Sequence, residues 1–386
     1  MTSNEQLDRL ATFEPVPYPV VSLYLNTQPD GRGKDHFHTF VRKEFKARSE
    51  TLAPNSPDRE RLERDLERIT AFLENELTPS ANGVAIFACS AADLFETVQL
   101  SAPVERHWLY IGDQPHLYPL ARLESQYPRY AVVLADTNGS RIFVFARGEK
   151  VRSRDVPGTK TRRTTQGGWS QARFQRHVEN FHLHHVKDVV DALDEIVRRD
   201  AIEHIVLAGD DVVLPLLKDQ LPKHLTEKVV DEMHLPATAD ESEVIAATLE
   251  ALRKTTARMD SEKVDAAVGA YRAGGLGVVG PAETVLALTN GQVDELFVTA
   301  TLGELQGLPD GHPAADLAIA NDASLVEPAV DPIAAGEPAD ASPDVVRLAD
   351  ELVTKARQTG ARVTFIEDPE LLKPYGGVAA TLRYRA

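Results

Sequence analysis

The sequence predicts an α/β protein of two or three domains, and three observations support this. The chain has 386 residues, and at about 150 residues per domain that length corresponds to two or three domains. Short runs of β-branched and apolar residues alternate with stretches whose apolar residues recur at helical spacing. Hydrophobic residues make up 42% of the chain and charged residues 26%, which is typical of globular proteins and not of disordered ones.

Residues 1–128 are predicted to form a small α+β domain. The β-branched run at 20–25 predicts a buried strand, and two helices are expected after it. The second helix has Ser56 as a capping residue and Pro57 at its first helical position, a common helix start. Further strands are predicted at 84–88, 95–100 and 108–110.

A central α/β domain is predicted over residues 129–260. The two apolar runs at 130–136 and 141–145 flank Asn138-Gly139, which is a strong hairpin pattern. Helical spacing from 174 to 196 precedes a strand at 202–208. Helices near 214–221 and 241–254 follow, and this alternation predicts a central sheet.

A third α/β domain is predicted over residues 261–386. Its expected elements are helices near 282–289 and 343–358 and strands at 295–299, 363–366 and 379–384. Residues 303–346 contain nine Asp or Glu and no Lys or Arg, with many Ala and Pro. This composition predicts a flexible acidic insertion.

The charge distribution separates one segment from the rest of the chain. The net charge of −17 argues against a general DNA, RNA or membrane-surface binder, because phosphate would be repelled. Residues 137–176, here called the basic segment, nevertheless contain ten Lys or Arg against two acidic residues, a net +8 that leaves −25 elsewhere. Such a cluster predicts a phosphate contact, most simply with RNA, and the alternative is a solvated loop that happens to be basic.

Several residue types point away from metal and cofactor chemistry. The single cysteine, Cys89, excludes a multi-cysteine metal site and is expected to pack as a small hydrophobe. His177, His182, His184 and His185 share a predicted helix without an evident further ligand, so they are expected to cover a helix face or meet RNA phosphate. We predict no metal and no cofactor.

Two short motifs and the polar N-terminal residues argue against further classes of function. The glycines at 275–280 fit the dinucleotide fingerprint but follow a helix-like stretch, so the match is interpreted as accidental. Residues 168–172 nearly match a nucleophile elbow, but the residues before them are polar and not strand-like, which argues against a serine hydrolase. The N-terminus is too polar for a secretory signal and no long apolar stretch occurs, so a cytoplasmic protein without a membrane partner is expected.

The centre of the basic segment carries a recognisable motif. Residues 164–176 resemble the loop of the class I release factor family of archaea and eukaryotes, which reads Gly-Gly-Gln-Ser followed by Arg-Phe and an Arg. Trp169 stands where that family has its catalytic glutamine, and Gln171 forms a Gly-x-x-Gln pattern similar to that of release-factor-like domains acting on stalled ribosomes. The matching residues are Gly167, Gly168, Ser170, Arg173, Phe174 and Arg176.

The resemblance extends along the chain in the family's order. Residues 21–24 look like the opening strand of the family's N domain, 130–148 like the start of its central domain, and 360–384 like the end of its third domain. It implies a three-domain release-factor-like architecture: an α+β N domain, an RNase H-like central domain with the Gly-Gly loop, and an α/β C domain. The branch it resembles is the bacterial one, with Balon-like hibernation factors and their mycobacterial relatives.

Departures from the family limit what the resemblance implies. The turn near 52–57 lacks the family's Asn-Ile-Lys-Ser tip, and residues 110–113 lack the Cys of its second codon-reading element, so stop-codon reading is not expected. The acidic insertion stands where archaeal factors often carry a cysteine-rich zinc insertion.

The resemblance implies a ribosome-binding protein that occupies the A site, contacts rRNA and acts in hibernation or translation stress. An elongation-factor GTPase is a further candidate partner. The enzymatic alternative is a rescue peptidyl-tRNA hydrolase in which Gln171 orients a water, while Gly167 and Gly168 allow close approach to RNA. A third alternative is an RNA-binding regulator that acts off the ribosome. The residues assigned to RNA binding are Arg152, Arg154, Lys160, Arg162, Arg163, Trp169 as a stacking surface, Arg173 and Arg176.

Overall fold

The computed structural model describes residues 3–14, 18–29, 37–100, 102–136, 139–146, 149–157, 171–236, 238–308 and 342–385. Within these ranges the chain forms three sheets of four or five strands with helices on their faces, which confirms the predicted α/β class. Most of the predicted acidic insertion, residues 309–341, lies outside the described residues.

The first sheet is antiparallel and is formed by the N-terminal segment. Its elements are α1 (Ser3–Ala11), β1 (Val20–Asn26), α2 (Phe37–Thr51), α3 (Pro57–Asn75), β2 (Gly83–Cys89), β3 (Leu94–Leu100), β4 (Trp108–Gly112) and α4 (Tyr118–Gln126). The strand order is β3-β2-β1-β4, and α2 and α3 pack on one face. The predicted helix start is confirmed, since Ser56 Oγ accepts a hydrogen bond from Arg59 N at 3.2 Å.

The central sheet has the order and strand directions of an RNase H-like domain. Its elements are β5 (Tyr130–Ala135), β6 (Gly139–Ala146), β7 (Glu149–Pro157), α5 (Gln171–Arg199), β8 (His204–Gly209), α6 (Val213–Gln220), α7 (Lys223–Thr226), β9 (Val229–His234) and α8 (Glu241–Arg272). The order is β7-β6-β5-β8-β9. The first three strands pair antiparallel, whereas β5, β8 and β9 are parallel. Helices α5 and α6 cover one face and the first half of α8 covers the other.

The third sheet is mixed and lies in the C-terminal segment. Its elements are β10 (Gly277–Val279), α9 (Pro281–Thr289), β11 (Val293–Thr299), α10 (Pro343–Gln358), β12 (Arg362–Ile366) and β13 (Val378–Leu382), with the strand order β10-β13-β11-β12. The glycines at 275–280 follow α8 and not a strand, so they lack the context of a dinucleotide fingerprint.

The chain divides into two compact units. One consists of Met1–Gln126 with Met259–Ala386, and the other of Tyr127–Arg258. In the first unit, His116 Nδ1 lies 2.6 Å from Asp350 Oδ2, and both side chains are 1% exposed. The other oxygen of Asp350 accepts from the backbone N–H groups of Leu117 and Tyr118 at 2.9 and 3.0 Å. The N- and C-terminal segments therefore share one core, and division into three domains stays a prediction.

Candidate functional site

The site predicted from the sequence lies between β7 and α5. Because β7 ends at Pro157 and α5 begins at Gln171, the intervening site residues Lys160, Arg162, Arg163, Gly167, Gly168 and Trp169 lie outside the described residues. Gln171 is the first residue of α5, and Arg173 and Arg176 follow in its first two turns. The side chains of these three residues are also outside the description.

Arg152 and Arg154 lie on β7, an edge strand of the central sheet. Arg154 Nη1 lies 2.6 Å from Glu195 Oε2, and Arg152 Nη1 lies 3.4 Å from Asp200 Oδ2. The hydrogen bond and the charge of Arg154 lower the pKa of Glu195. Both arginines, predicted as RNA ligands, therefore have carboxylate partners at the C-terminal end of α5.

Two further cations of the basic segment have partners on the opposite face of the sheet. The Lys150 ammonium pairs with the Glu241 carboxylate at the start of α8. Arg141 Nη2 donates to the Ala239 carbonyl at 2.9 Å, and its guanidinium lies 5.2 Å from the centre of the Phe143 ring. Four of the ten basic residues thus contact groups within the central unit.

A groove of about 370 Å³ runs between the end of β7 and α5. Besides Arg154, its charged lining is acidic and consists of Asp155, Asp188, Asp191 and Glu195. Carboxylates repel phosphate, so this groove does not fit a nucleic-acid strand. The RNA-binding prediction therefore depends on residues 158–176.

Helix α5 is anchored by its apolar face and by one histidine. Val189, Leu193 and Ile196 are buried. His185 is 4% exposed, and its Nε2 lies 3.0 Å from Ser140 Oγ on β6. His185 therefore faces the sheet, where Ser140 is the polar partner of its buried ring. The neighbouring His184 is exposed to solvent.

The surroundings of Cys89 bear on its predicted role as a small packed residue, and the described residues also bear on the predictions about metal sites and membrane-spanning helices. Cys89 is fully buried, and burial raises the pKa of its thiol, which confirms it as a packed residue. Among the described residues, no group of three or more His, Cys, Asp or Glu is arranged to hold a metal ion. Within the same ranges, no helix combines the length and apolar character that a membrane crossing requires.

The two regions that the sequence resemblance relates to codon-reading elements are a helix–helix turn and a buried strand. The turn between α2 and α3 spans residues 52–56, and Asn55 adopts a φ of 61° there. Tyr110 is 5% exposed within β4, and its ring centre lies 4.9 Å from that of His116. Tyr110 therefore belongs to the core.

Sequence reasoning missed the acidic partners Glu195, Asp200 and Glu241. They follow the basic segment by 19 residues or more, so a charge count that stops at Arg176 does not include them. The sequence pattern that could have indicated these partners is the acidic second half of α5. Its acidic residues recur at helical spacing and are Asp188, Asp191, Asp194 and Glu195.

Part of the chain matches one protein-family model, and the chain is similar to proteins of Mycobacterium tuberculosis. Residues 115–253 match the model described as bacterial archaeo-eukaryotic release factor family 10. The uncharacterised protein Rv2629 of Mycobacterium tuberculosis H37Rv is 27% identical over 285 residues, which cover 72% of this chain and 71% of that protein. The uncharacterised protein MT2704 of M. tuberculosis CDC 1551 matches to the same extent.

Solved structures of translation factors align with this chain at low superposition scores. S. cerevisiae Dom34, a translation termination-like factor, has a TM-score of 0.42 at 12% identity and 79% coverage of both chains. Ribosome-bound archaeal Pelota has a TM-score of 0.40 at 14% identity, covering 99% of this chain and 94% of that one. The archaeal termination factor aRF1 has a TM-score of 0.24 at 14% identity, covering 99% and 98%.

The segment matched by the family model contains the RNase H-like sheet, the basic segment and the glycine pair. Over this segment the chain is similar to the release-factor-like family, in its bacterial branch.

Proposed function

We propose that this protein binds the ribosomal A site without reading stop codons and holds the ribosome inactive during stress. The observation that carries the proposal is the family match over residues 115–253, which includes the whole basic segment. A ribosomal partner implies that the protein functions in the cytoplasm. The family resemblance implies an elongation-factor GTPase as a second partner.

The distribution of charge supports contact with rRNA through a restricted surface. The rest of the chain carries −25, so long-range repulsion opposes indiscriminate RNA binding. Arg152 and Arg154 pair with carboxylates. The residues expected to neutralise rRNA phosphates are therefore Lys160, Arg162, Arg163, Arg173 and Arg176.

The turn between α2 and α3 supports a role without codon recognition. It reads Leu-Ala-Pro-Asn-Ser and has no basic residue. Tyr110 cannot reach a codon from β4, because its side chain is buried in the core.

A second candidate function, hydrolysis of peptidyl-tRNA, is favoured by the position of Gln171. It begins α5, whose first N–H groups and positive dipole end suit a developing oxyanion. An amide at that position could orient a water against the ester.

Co-sedimentation of the full-length protein with 70S ribosomes tests the proposal. We expect binding that weakens about tenfold or more in Arg162→Glu/Arg163→Glu, because reversing charges opposes phosphate contacts. The matched control is Lys223→Glu/Lys254→Glu, whose lysine side chains are 90% and 75% exposed in the same unit. Failure of the native protein to co-sediment would overturn the proposal and favour a regulator that acts off the ribosome.

Release of labelled peptide from ribosome-bound peptidyl-tRNA separates hibernation from rescue. Hibernation predicts no release by the native protein. Release that is lost in Gln171→Ala and kept in Trp169→Ala would establish the hydrolase and overturn the inactive-state proposal.

A further inference from the structure

Helices α2 and α3 flank a groove of about 420 Å³ in the N-terminal segment. The short turn of residues 52–56 joins the two helices, so they run antiparallel. The base of the groove is apolar, because Phe45 and Leu66 line it at 8% and 5% exposure. The two rims carry charged side chains of opposite sign.

The α2 rim of the groove is basic. Arg42, Lys43 and Lys46 are exposed, and the Lys43 and Lys46 side chains reach 80% and 77% exposure. The carboxylate partners of these two lysines, Glu44 and Glu50, lie 3.8 Å away, near the limit for an ion pair. Arg42 and Lys46 are four residues apart and therefore lie on one side of the helix. We call Arg42 and Lys46 the basic row.

The α3 rim of the groove is acidic. Glu63, Glu67 and Glu74 line it at positions i, i+4 and i+11 of the helix. Arg59 lies 2.8 Å from Glu63, whereas among the described residues no cation forms an ion pair with Glu67 or Glu74. Two like charges at i and i+4, such as Glu63 and Glu67, destabilise a helix. A cation supplied by a partner would relieve this repulsion. We call Glu63 and Glu67 the acidic row.

Two other arginines of α3 are engaged away from the acidic row. The guanidinium groups of Arg61 and Arg68 lie over the rings of Tyr18 and Phe95, at 4.4 and 4.1 Å from the ring centres. Arg61 also lies 2.9 Å from Asp58. The α3 rim therefore keeps a net negative charge.

The basic and acidic rows are complementary when the face is copied by a two-fold rotation. In an antiparallel helix pair, residues equally distant from the turn lie at the same height. Lys46 is thus level with Glu63, and Arg42 with Glu67, to within about one residue or 1.5 Å. A two-fold axis along the groove brings α2 of each copy over α3 of the other at unchanged height. Each basic row then faces an acidic row, and symmetry makes every contact twice.

Other occupants fit this face less well. An RNA strand would meet the acidic row, which repels phosphate. An anionic membrane would meet the same carboxylates. It would also find no apolar side to insert, because Val41 and Phe45 of α2 are buried in the core. A second copy of this chain offers both signs of charge in the matching order.

We propose that this face mediates reversible association of the protein into a two-fold symmetric dimer. Helix α2 has 15 residues and is about 22 Å long, and two helices side by side are roughly 20 Å wide. Two such faces would bury on the order of 1,000 Å² in total, which is the size of weak and transient interfaces. The inference concerns the free protein and does not rest on the proposed function.

Sedimentation equilibrium of the full-length protein at concentrations up to about 100 µM tests the inference. We expect a dimer with a Kd in the micromolar range at low salt, as the buried area indicates. The Kd should rise about tenfold or more when the salt concentration is raised from about 50 to about 500 mM, because the facing charges are then screened.

Charge reversal tests which rows face each other. In Arg42→Glu/Lys46→Glu, or in Glu63→Lys/Glu67→Lys, like charges would face each other, so the Kd should rise about tenfold or more. An equimolar mixture of these two variants should associate again, since every facing pair is then of opposite sign. A single chain that carries all four substitutions should dimerise for the same reason.

Matched controls change the net charge equally in the other compact unit. They are Lys223→Glu/Lys254→Glu, at side chains 90% and 75% exposed, and Glu227→Lys/Glu250→Lys, at side chains 64% and 60% exposed. Both should leave the Kd within about twofold of the native value, because their charges lie outside the face. Urea denaturation midpoints equal to that of the native protein establish that the variants are folded.

Three results would overturn the inference. The first is a native protein that stays monomeric at low salt, and the second is a dimer that persists in both row variants. The third is a mixture of the two row variants that stays monomeric, since the rows would then not face each other. Co-sedimentation with 70S ribosomes is a separate measurement, so the proposed function can stand or fail independently of these results.

Discussion

Hydrogen-bonded side-chain pairs have different consequences in the two compact units. In the first unit, His116 and Asp350 are each 1% exposed and join residues 234 positions apart in the chain. In the central unit, the side chains of Arg154 and Glu195 are 43% and 59% exposed. A buried pair leaves an uncompensated group in the core when one partner is removed, whereas an exposed pair contributes little stability. The exposed pair instead partly neutralises the positive charge of β7.

The largest expected effect is on the buried pair. Asp350→Ala removes the acceptor of His116 and of two backbone N–H groups, so we expect a loss of about 3–5 kcal/mol in the free energy of unfolding. Urea denaturation followed by the fluorescence of Trp108 measures it, because that ring stacks on His116 with centres 5.9 Å apart. A Trp169→Phe background removes the chain's other tryptophan.

Asp344→Ala provides the control for this prediction. Asp344 lies on the same helix, α10, and is exposed. A similar loss in both variants, or a loss of under about 1 kcal/mol for Asp350→Ala, would contradict the structural role assigned to the buried pair.

An intermediate effect is expected at Asp260 on α8. Burial, with the nearby charges of Glu295 and Glu367, raises the pKa of this carboxyl to about 6, while Lys263 acts in the opposite direction. Because the folded-state pKa lies above the unfolded value of 3.8, the native protein loses stability as pH rises from about 4 to about 6. Asp260→Asn should therefore be more stable by roughly 2 kcal/mol above pH 6, with the difference vanishing near pH 4.

Denaturation midpoints measured across this pH range check the sign. Asp265→Asn is the control, since Asp265 is exposed on the same helix. A pH-independent difference between Asp260→Asn and the native protein would refute the raised pKa of Asp260.

The smallest expected effect is on the exposed pair. Arg154→Ala should change the free energy of unfolding by less than about 1 kcal/mol, and the change should shrink at high salt as the pair is screened. Parallel denaturation curves in low and high salt measure this change. A loss comparable with that of Asp350→Ala would remove the contrast between the two units.

Local sequence patterns predicted most elements of the fold. The Ser56 cap with Pro57, the strands around Asn138-Gly139 and the burial of Cys89 depend on neighbours within a few residues, and all are observed. The strands β7 and β9 were missed. Each lies at an edge of the central sheet and is rich in charged residues, so pairing with a neighbouring strand, not local propensity, makes it a strand.

Helices α1 and α4 were missed for a related reason. Each has only nine residues, a length at which helices are marginal without packing. Both are stabilised by a core that includes residues of α10, far away in the chain.

The sequence by itself determined the types of most elements, the basic segment and the release-factor-like motif, because these are local patterns of residue type and spacing. Only the tertiary structure decided which charges remain available to a partner. Arg152 and Arg154 count as basic residues in the sequence, but the folded chain brings the carboxylates of Asp200 and Glu195 to them. The sequence also did not predict that the N- and C-terminal segments contact each other through His116 and Asp350. Contacts between residues far apart in the chain leave no periodic pattern in a single sequence.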